Sequence, residues 1–169
     1  MLILQEINII KYNINMLDIE DFKKKLDKKS RLMGIDPGRK RCGIAISDEN
    51  KIIATPYTTI IKNNYSKFID DIKKIIKENN IKGIIVGNPI NLDGTPSRSS
   101  QSAKDLAINL SKDITKNITI WDERLSSQGA FNLSRNLNVN TSKKVEKLDE
   151  NSAQFILQGA LDYLTKENT

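Results

Sequence analysis

The run KGIIVG at 82–87 constrains the fold more than any other stretch of the chain. From Gly83 to Gly87 it is apolar at every position, so a strand here has no polar face to turn to water. Such a strand has to be covered on both sides, and the chain supplies the covers next to it. Residues 66–79 place Phe68, Ile69, Ile72, Ile75 and Ile76 at helical spacing. After the strand, Ala103, Leu106, Ala107 and Leu110 share one helical face. A buried strand between two amphipathic helices is the unit of a layered α/β fold with a parallel sheet.

The flanking segments extend that sheet. RLMGID and CGIAIS are short apolar runs separated by PGRKR, which reads as a hairpin. YTTII at 57–61 and NITIW at 117–121 are further strands. NPINLDGTPS is a polar loop with a turn at Asp93-Gly94, and a third helix is expected from near Ser126. Residues 136–147 lack periodicity and read as a mobile loop. The last helix is expected from about Asp149 to Leu164, with Phe155, Ile156, Ala160, Tyr163 and Leu164 on one face. The predicted order is β-β-β-α-β-α-β-α-α. It gives an α/β fold with a mixed five-stranded sheet, three antiparallel strands and then two parallel, with helices on both faces. Residues 1–29 read as an N-terminal extension with a short helix over about 18–27. Asp18 is its expected N-cap, and Leu17 and Phe22 stand where a hydrophobic staple would place them. The domain proper is expected over 30–169.

Among 169 residues there is no histidine and one cysteine, Cys42. Ser-His-Asp and Cys-His catalysis are excluded, as are His-containing and Cys-only zinc sites. Internal disulfides are excluded as well. Any metal chemistry must therefore use oxygen ligands, which suit magnesium or manganese. The formal net charge of +6 points to an anionic partner, of which nucleic acid is the commonest. The apolar runs fall short of the roughly 18 residues that a membrane helix needs. The N-terminus lacks the basic segment and cleavage site of a signal peptide. A cytoplasmic protein without membrane association is expected.

Three acidic positions lie at the ends of core elements. Asp36 ends the first strand, Glu123 follows the strand closed by Trp121 with Asp122 beside it, and Asp149 begins the expected last helix. Carboxylates gathered at the carboxyl ends of strands repel one another unless a divalent cation lies among them. Phosphodiester hydrolysis uses such clusters. Each acid also has a structural alternative. Asp36-Pro37-Gly38 suits a turn, Asp122-Glu123-Arg124 suits an acid paired with arginine, and Asp149 suits an N-cap.

Four segments resemble, in order, the motifs of the YqgF/RuvX family. MGIDPGRKRCGIAISD resembles the first, a strand ending in Asp-x-Gly followed by a Gly-x-Ala strand. IIVGNPINLDGTPSRSS is similar to the second, with its Asp-Gly-Thr loop. WDERLSS resembles the third, the Asp-Glu-Arg-Leu-Ser/Thr signature. KLDENSAQFILQGALDYL resembles the fourth, an Asp opening the C-terminal helix. Together they run over residues 31–164. Asn88 departs from the pattern, where the family has an apolar residue, and is expected to alter loop packing. The resemblance implies an RNase H-like fold with Asp36, Glu123 and Asp149 as the catalytic and metal-binding acids. It implies a nuclease using Mg²⁺ or Mn²⁺ and leaving 5′-phosphate and 3′-hydroxyl ends. The implied substrates are the 5′ end of pre-16S rRNA or branched DNA such as a Holliday junction. Ribosomal precursor particles are implied partners, and the chain is expected as a monomer or a homodimer.

Basic and polar groups flank these acids. Arg39, Lys40 and Arg41 lie in the first hairpin, and Lys143, Lys144 and Lys147 precede Asp149. Ser97 and Arg98 follow the Asp-Gly-Thr turn, and Arg124 follows Glu123. All are candidate nucleic-acid contacts, since phosphates are held by cations and by amides at helix starts. Solvated charge or, for Arg124, a structural ion pair is the competing reading. Two other functions stand beside nuclease: a non-catalytic RNA-binding ribosome-assembly factor that keeps the fold, and an actin-like ATPase, for which the chain looks too short.

Overall fold

The computed structural model describes residues 15–89, 95, 98–125 and 142–166, without the side chains of 98–99 and 142–148. The strands are β1 (Met16–Leu17), β2 (Arg31–Pro37), β3 (Arg41–Ser47), β4 (Ala54–Ile61), β5 (Ile81–Asn88) and β6 (Asn117–Asp122). The helices are α1 (Ile19–Lys24), α2 (Tyr65–Glu78), α3 (Arg98–Asp113) and α4 (Ser142–Thr165), with a 3₁₀ turn at Glu123–Leu125. The sheet runs β1-β6-β5-β2-β3-β4. β2, β3 and β4 pair antiparallel, while β2–β5, β5–β6 and β6–β1 are parallel.

This is the expected mixed sheet with six strands instead of five. The sixth comes from the segment read as an extension: Met16 and Leu17 pair with Ile118 and Thr119. Asn15 reinforces the join by donating from Nδ2 to the carbonyls of Ile114 and Lys116 at 2.6 and 3.0 Å. The helix after it starts as predicted, with the Asp18 side chain accepting the Asp21 amide. Phe22 is fully buried. β1 and Phe22 are thus built into the sheet and its core, whereas residues 1–14 lie outside the described residues.

Two cores fill the layers. On one face α2 and α3 cover Met33, Ile35, Ile44, Ile84 and Ile118. The helix α2 forms where the spacing predicts it, buries all five expected residues, and is capped by Asn64. Each such side chain contributes roughly 1.5–3 kcal/mol on burial. On the other face α1 and α4 cover Leu32, Ala45, Ile85 and Trp121.

The last helix departs from expectation at its start. Helix α4 begins at Ser142, so residues 142–147 are helical instead of forming a loop, and Asp149 lies about two turns inside. The stretch Ser142–Leu148 has no Gly or Pro to stop a helix and is rich in good helix formers, yet it lacks the apolar period that marks one in a sequence. The expected helix near Ser126 and the turn at Asp93-Gly94 lie outside the described residues. Among the described residues, no helix is long and apolar enough to cross a membrane.

Candidate active site

Asp36 is the penultimate residue of β2, and its cross-strand partner is Gly43 on β3. A Cβ at Gly43 would overlap the carbonyl oxygen of Asp149, so the glycine lets α4 lie directly on the sheet beside Asp36. Gly34 does the same one pleat earlier, where a Cβ would meet Leu157 at 2.7 Å. On the other side of β2, Ile35 pairs with Val86, which brings the ends of the parallel strands β2 and β5 level. Gly87 follows Val86, and a Cβ there would stand 2.9 Å from Glu123 Oε1. Glu123 opens the turn directly after β6, whose Trp121 pairs with Gly87. Asp36 thus stands at the end of β2, Glu123 just after β6 and Asp149 on α4, on the face that α4 covers. All three are partly exposed.

Among the described residues, no three Asp, Glu or Cys side chains form a group able to hold an ion. Asp149 Oδ2 faces Arg41 Nε at 3.4 Å. Its place inside the helix removes the N-cap role the sequence allowed. Their field is felt through the sheet at Cys42. Burial pushes the thiol up to about 11, the nearby Lys62 and a backbone hydrogen bond at Gly38 oppose this, and Asp36 and Asp149 add to it. Cys42 is a free, buried cysteine.

The basic residues divide into two kinds. Arg39 and Lys40 are exposed at the hairpin tip, while Arg41 turns inward to Asp149. Arg124 pairs with Asp122, Nη2 to Oδ2 at 2.6 Å and Nε to Oδ1 at 3.0 Å. That hydrogen-bonded guanidinium holds the Asp122 carboxyl below its ordinary range against partial burial. Lys143, Lys144 and Lys147 stand on the first two turns of α4, and Arg98 opens α3. Ser97 lies outside the described residues.

Two side chains support the site from outside the acids, and only Asn88 stands out in the sequence. Lys62 donates from Nζ to the Gly38 carbonyl at 2.9 Å and from its amide to the Lys40 carbonyl at 2.8 Å, bracing the turn after Asp36. Nothing local distinguishes it from any lysine after a strand. Asn88, buried at the end of β5, accepts a 2.7 Å hydrogen bond from the Ser100 hydroxyl of α3. It ties together the two ends of the loop between them, and its departure from the family pattern was the signal for it.

Residues 30–163 match the RuvX family, described as Holliday junction resolvase. The chain belongs to the RuvX family. Among its relatives, the protein of Pelagibacter ubique named "Putative pre-16S rRNA nuclease" is 56% identical over 149 residues, 88% of this chain and 99% of that one. The protein of the same name in Rhodobacter capsulatus is 38% identical over 146 residues, 86% and 92% of the two chains. The structure of T. thermophilus RuvC in complex with Holliday junction substrate is similar with a TM-score of 0.50 at 8% identity, covering 79% of this chain and 94% of that one. It shares the fold, which is RNase H-like. RuvX membership places this chain among the phosphodiester-hydrolysing nucleases.

Proposed function

We propose that this RuvX-family nuclease trims the 5′ end of pre-16S rRNA, with Asp36, Glu123 and Asp149 as its acidic site. The observation that carries the acid assignment is the pair of glycines flanking Asp36. Gly43 and Gly87 leave room for the Asp149 backbone on one side and the Glu123 carboxylate on the other. The relatives' name supports the RNA substrate.

The donors are carboxylate oxygens with no imidazole or accessible thiolate among them, which suits Mg²⁺ or Mn²⁺. When bound, such an ion supplies the positive charge that activates water and stabilises the leaving oxygen. The chain's own residues then have distinct tasks. Asp36, Glu123 and Asp149 would hold the ion. Arg41 pairs with Asp149 and offsets part of its charge, which limits carboxylate repulsion. Arg39 and Lys40 of the hairpin tip, and Lys143, Lys144 and Lys147 of the first turns of α4, would serve as phosphate contacts that carry no sequence information. No histidine exists to serve as general base.

The family description favours a second substrate, a four-way DNA junction. The test is cleavage of a labelled precursor 16S 5′-leader RNA beside a labelled junction, in Mn²⁺, in Mg²⁺ and in excess EDTA. The proposal expects metal-dependent cutting of the RNA at its 5′ side. Cutting of the junction alone moves the assignment to branched DNA. Full cleavage in EDTA by a homogeneous sample overturns the metal site. Tight RNA binding without cleavage in either metal leaves the non-catalytic assembly factor.

A further inference from the structure

The three charged residues that close β6 are divided between the two faces of the sheet. Trp121 belongs to the core under α4, so alternation along the strand turns Asp122 to the opposite face. Its register partner agrees: Asp122 pairs with Asn88, whose side chain accepts from Ser100 of α3. Glu123, one residue on, goes the other way. A Cβ at Gly87 would meet Ile156 of α4 and stand 2.9 Å from Glu123 Oε1, so that carboxylate lies on the α4 face. Arg124 returns to Asp122.

Asp122 holds Arg124 by backbone and side chain together. Its Oδ1 accepts the Arg124 amide at 3.0 Å, as an N-cap does for the 3₁₀ turn Glu123–Leu125. Arg124 Nε donates to both carboxylate oxygens at 3.0 and 3.1 Å, and Nη2 donates to Oδ2 at 2.6 Å. A forked contact of this kind fixes direction as well as distance. Glu123 stands between the two clasped residues, so its backbone is held from both sides. The division also matters electrically. Once unclasped, a guanidinium next in sequence to Glu123 has that carboxylate to turn to, as Arg41 turns to Asp149 at 3.4 Å. An arginine so placed offsets the negative charge that a divalent cation needs.

We propose that Asp122 is a positioning residue: its clasp on Arg124 sets the turn that aims Glu123 at the α4 face and keeps the arginine's charge off the acids. The proposal rests on the reading of Glu123 as one of those acids. Asp122→Asn cuts the clasp selectively, since asparagine caps about as well as aspartate but lacks the charge that holds a guanidinium. Mn²⁺ binding to the free protein is measured by calorimetry, with a melting curve alongside, and cleavage of the labelled RNA and junction is followed over a Mn²⁺ series. Asp122→Asn should weaken Mn²⁺ binding about threefold or more, the scale of one partly exposed charge pair, with little change in melting temperature. The Mn²⁺ concentration for half-maximal cleavage should rise in step. Arg124→Gln keeps the capped amide and removes the charge, so it should not weaken Mn²⁺ binding. Adding it to Asp122→Asn should return Mn²⁺ affinity to the level of Arg124→Gln alone, because no released guanidinium remains. Arg124→Lys loosens the fork with the cap in place and should shift Mn²⁺ binding in the direction of Asp122→Asn, which keeps the test open if that variant folds poorly. Wild-type Mn²⁺ binding in both Asp122→Asn and Arg124→Lys overturns the proposal, and so does a weakening that persists in full in the double variant. Glu123→Gln is the control. If it binds Mn²⁺ and cleaves as the wild type does, the acid itself is misassigned; if it is impaired while Asp122→Asn is not, only the positioning role falls.

Discussion

Under α2 and α3 the sheet presents branched aliphatic side chains: Ile35, Ile44, Ile60, Ile84 and Ile118, met by Ile69, Ile72, Ile75 and Ile76 of α2. Under α4 it presents Gly34, Gly43, Ala45 and Gly87, met by Ala153, Ile156, Leu157 and Ala160. The first face is held off the sheet by bulk. On the second, large residues such as Leu32, Ile85 and Trp121 are interrupted by Gly34, Gly43 and Gly87, and at those glycines α4 comes down onto the strands. A filled face has no room for a polar cluster, and a widely spaced one cannot bring a helical carboxylate to a strand end. Close approach at Gly43 and Gly87 does the latter, so the acids belong to the thin face while the thick face serves stability.

Substitutions can separate these roles. The largest effect is expected at the acids: Asp149→Asn should lower cleavage on the order of 10³-fold, the scale for losing one charge-stabilising group. Its melting temperature should fall only slightly, because the change gives up the partly exposed pair with Arg41 and no helix cap. Asp36→Asn should match it, and a variant that cleaves at the wild-type rate would remove its residue from the site.

Next come the glycines. Gly43→Ala drives a methyl into the Asp149 carbonyl and should cost about 3 kcal/mol or more by denaturant unfolding. Gly87→Ala meets the flexible end of Ile156 and the Glu123 carboxylate, so it should cost less stability and yet reduce cleavage, on the order of 10²-fold for a displaced catalytic group. Equal losses of stability and activity in the two variants would erase the distinction drawn between them.

A third measurement reaches beyond the acids to the start of α4. Replacing Lys143, Lys144 and Lys147 together by alanine should flatten the dependence of log affinity on log salt by about 2–3 units on duplex DNA, at roughly 0.9 per phosphate contact. An unaltered slope assigns these lysines to solvent. The smallest effect is expected on the thick face. Ile84→Val should cost roughly 1 kcal/mol with cleavage intact. Lost cleavage in a stably folded Ile84→Val protein would show that both faces shape the site.

The amino-acid sequence by itself determined the layers. The apolar run at Ile84–Val86, the helical period of Phe68–Ile76 and the hairpin around Gly38 are local patterns, and local patterns report which side of an element is buried. The ends of strands were legible for the same reason, which put Asp36 and Glu123 at them before any coordinates. Tertiary structure alone decided the rest. Met16 and Leu17 become a strand only because Ile118 and Thr119, a hundred residues away, offer backbone groups to pair with. Arg41 turns to Asp149, Arg124 to Asp122 and Lys62 to Gly38, and in each case any of several nearby charges would have suited the sequence equally well. The start of α4 at Ser142 left no apolar period to read, because helix formers without a patterned face reveal propensity and not position. Periodicity records burial along one element, whereas pairing between elements depends on distances that exist only once the chain has folded.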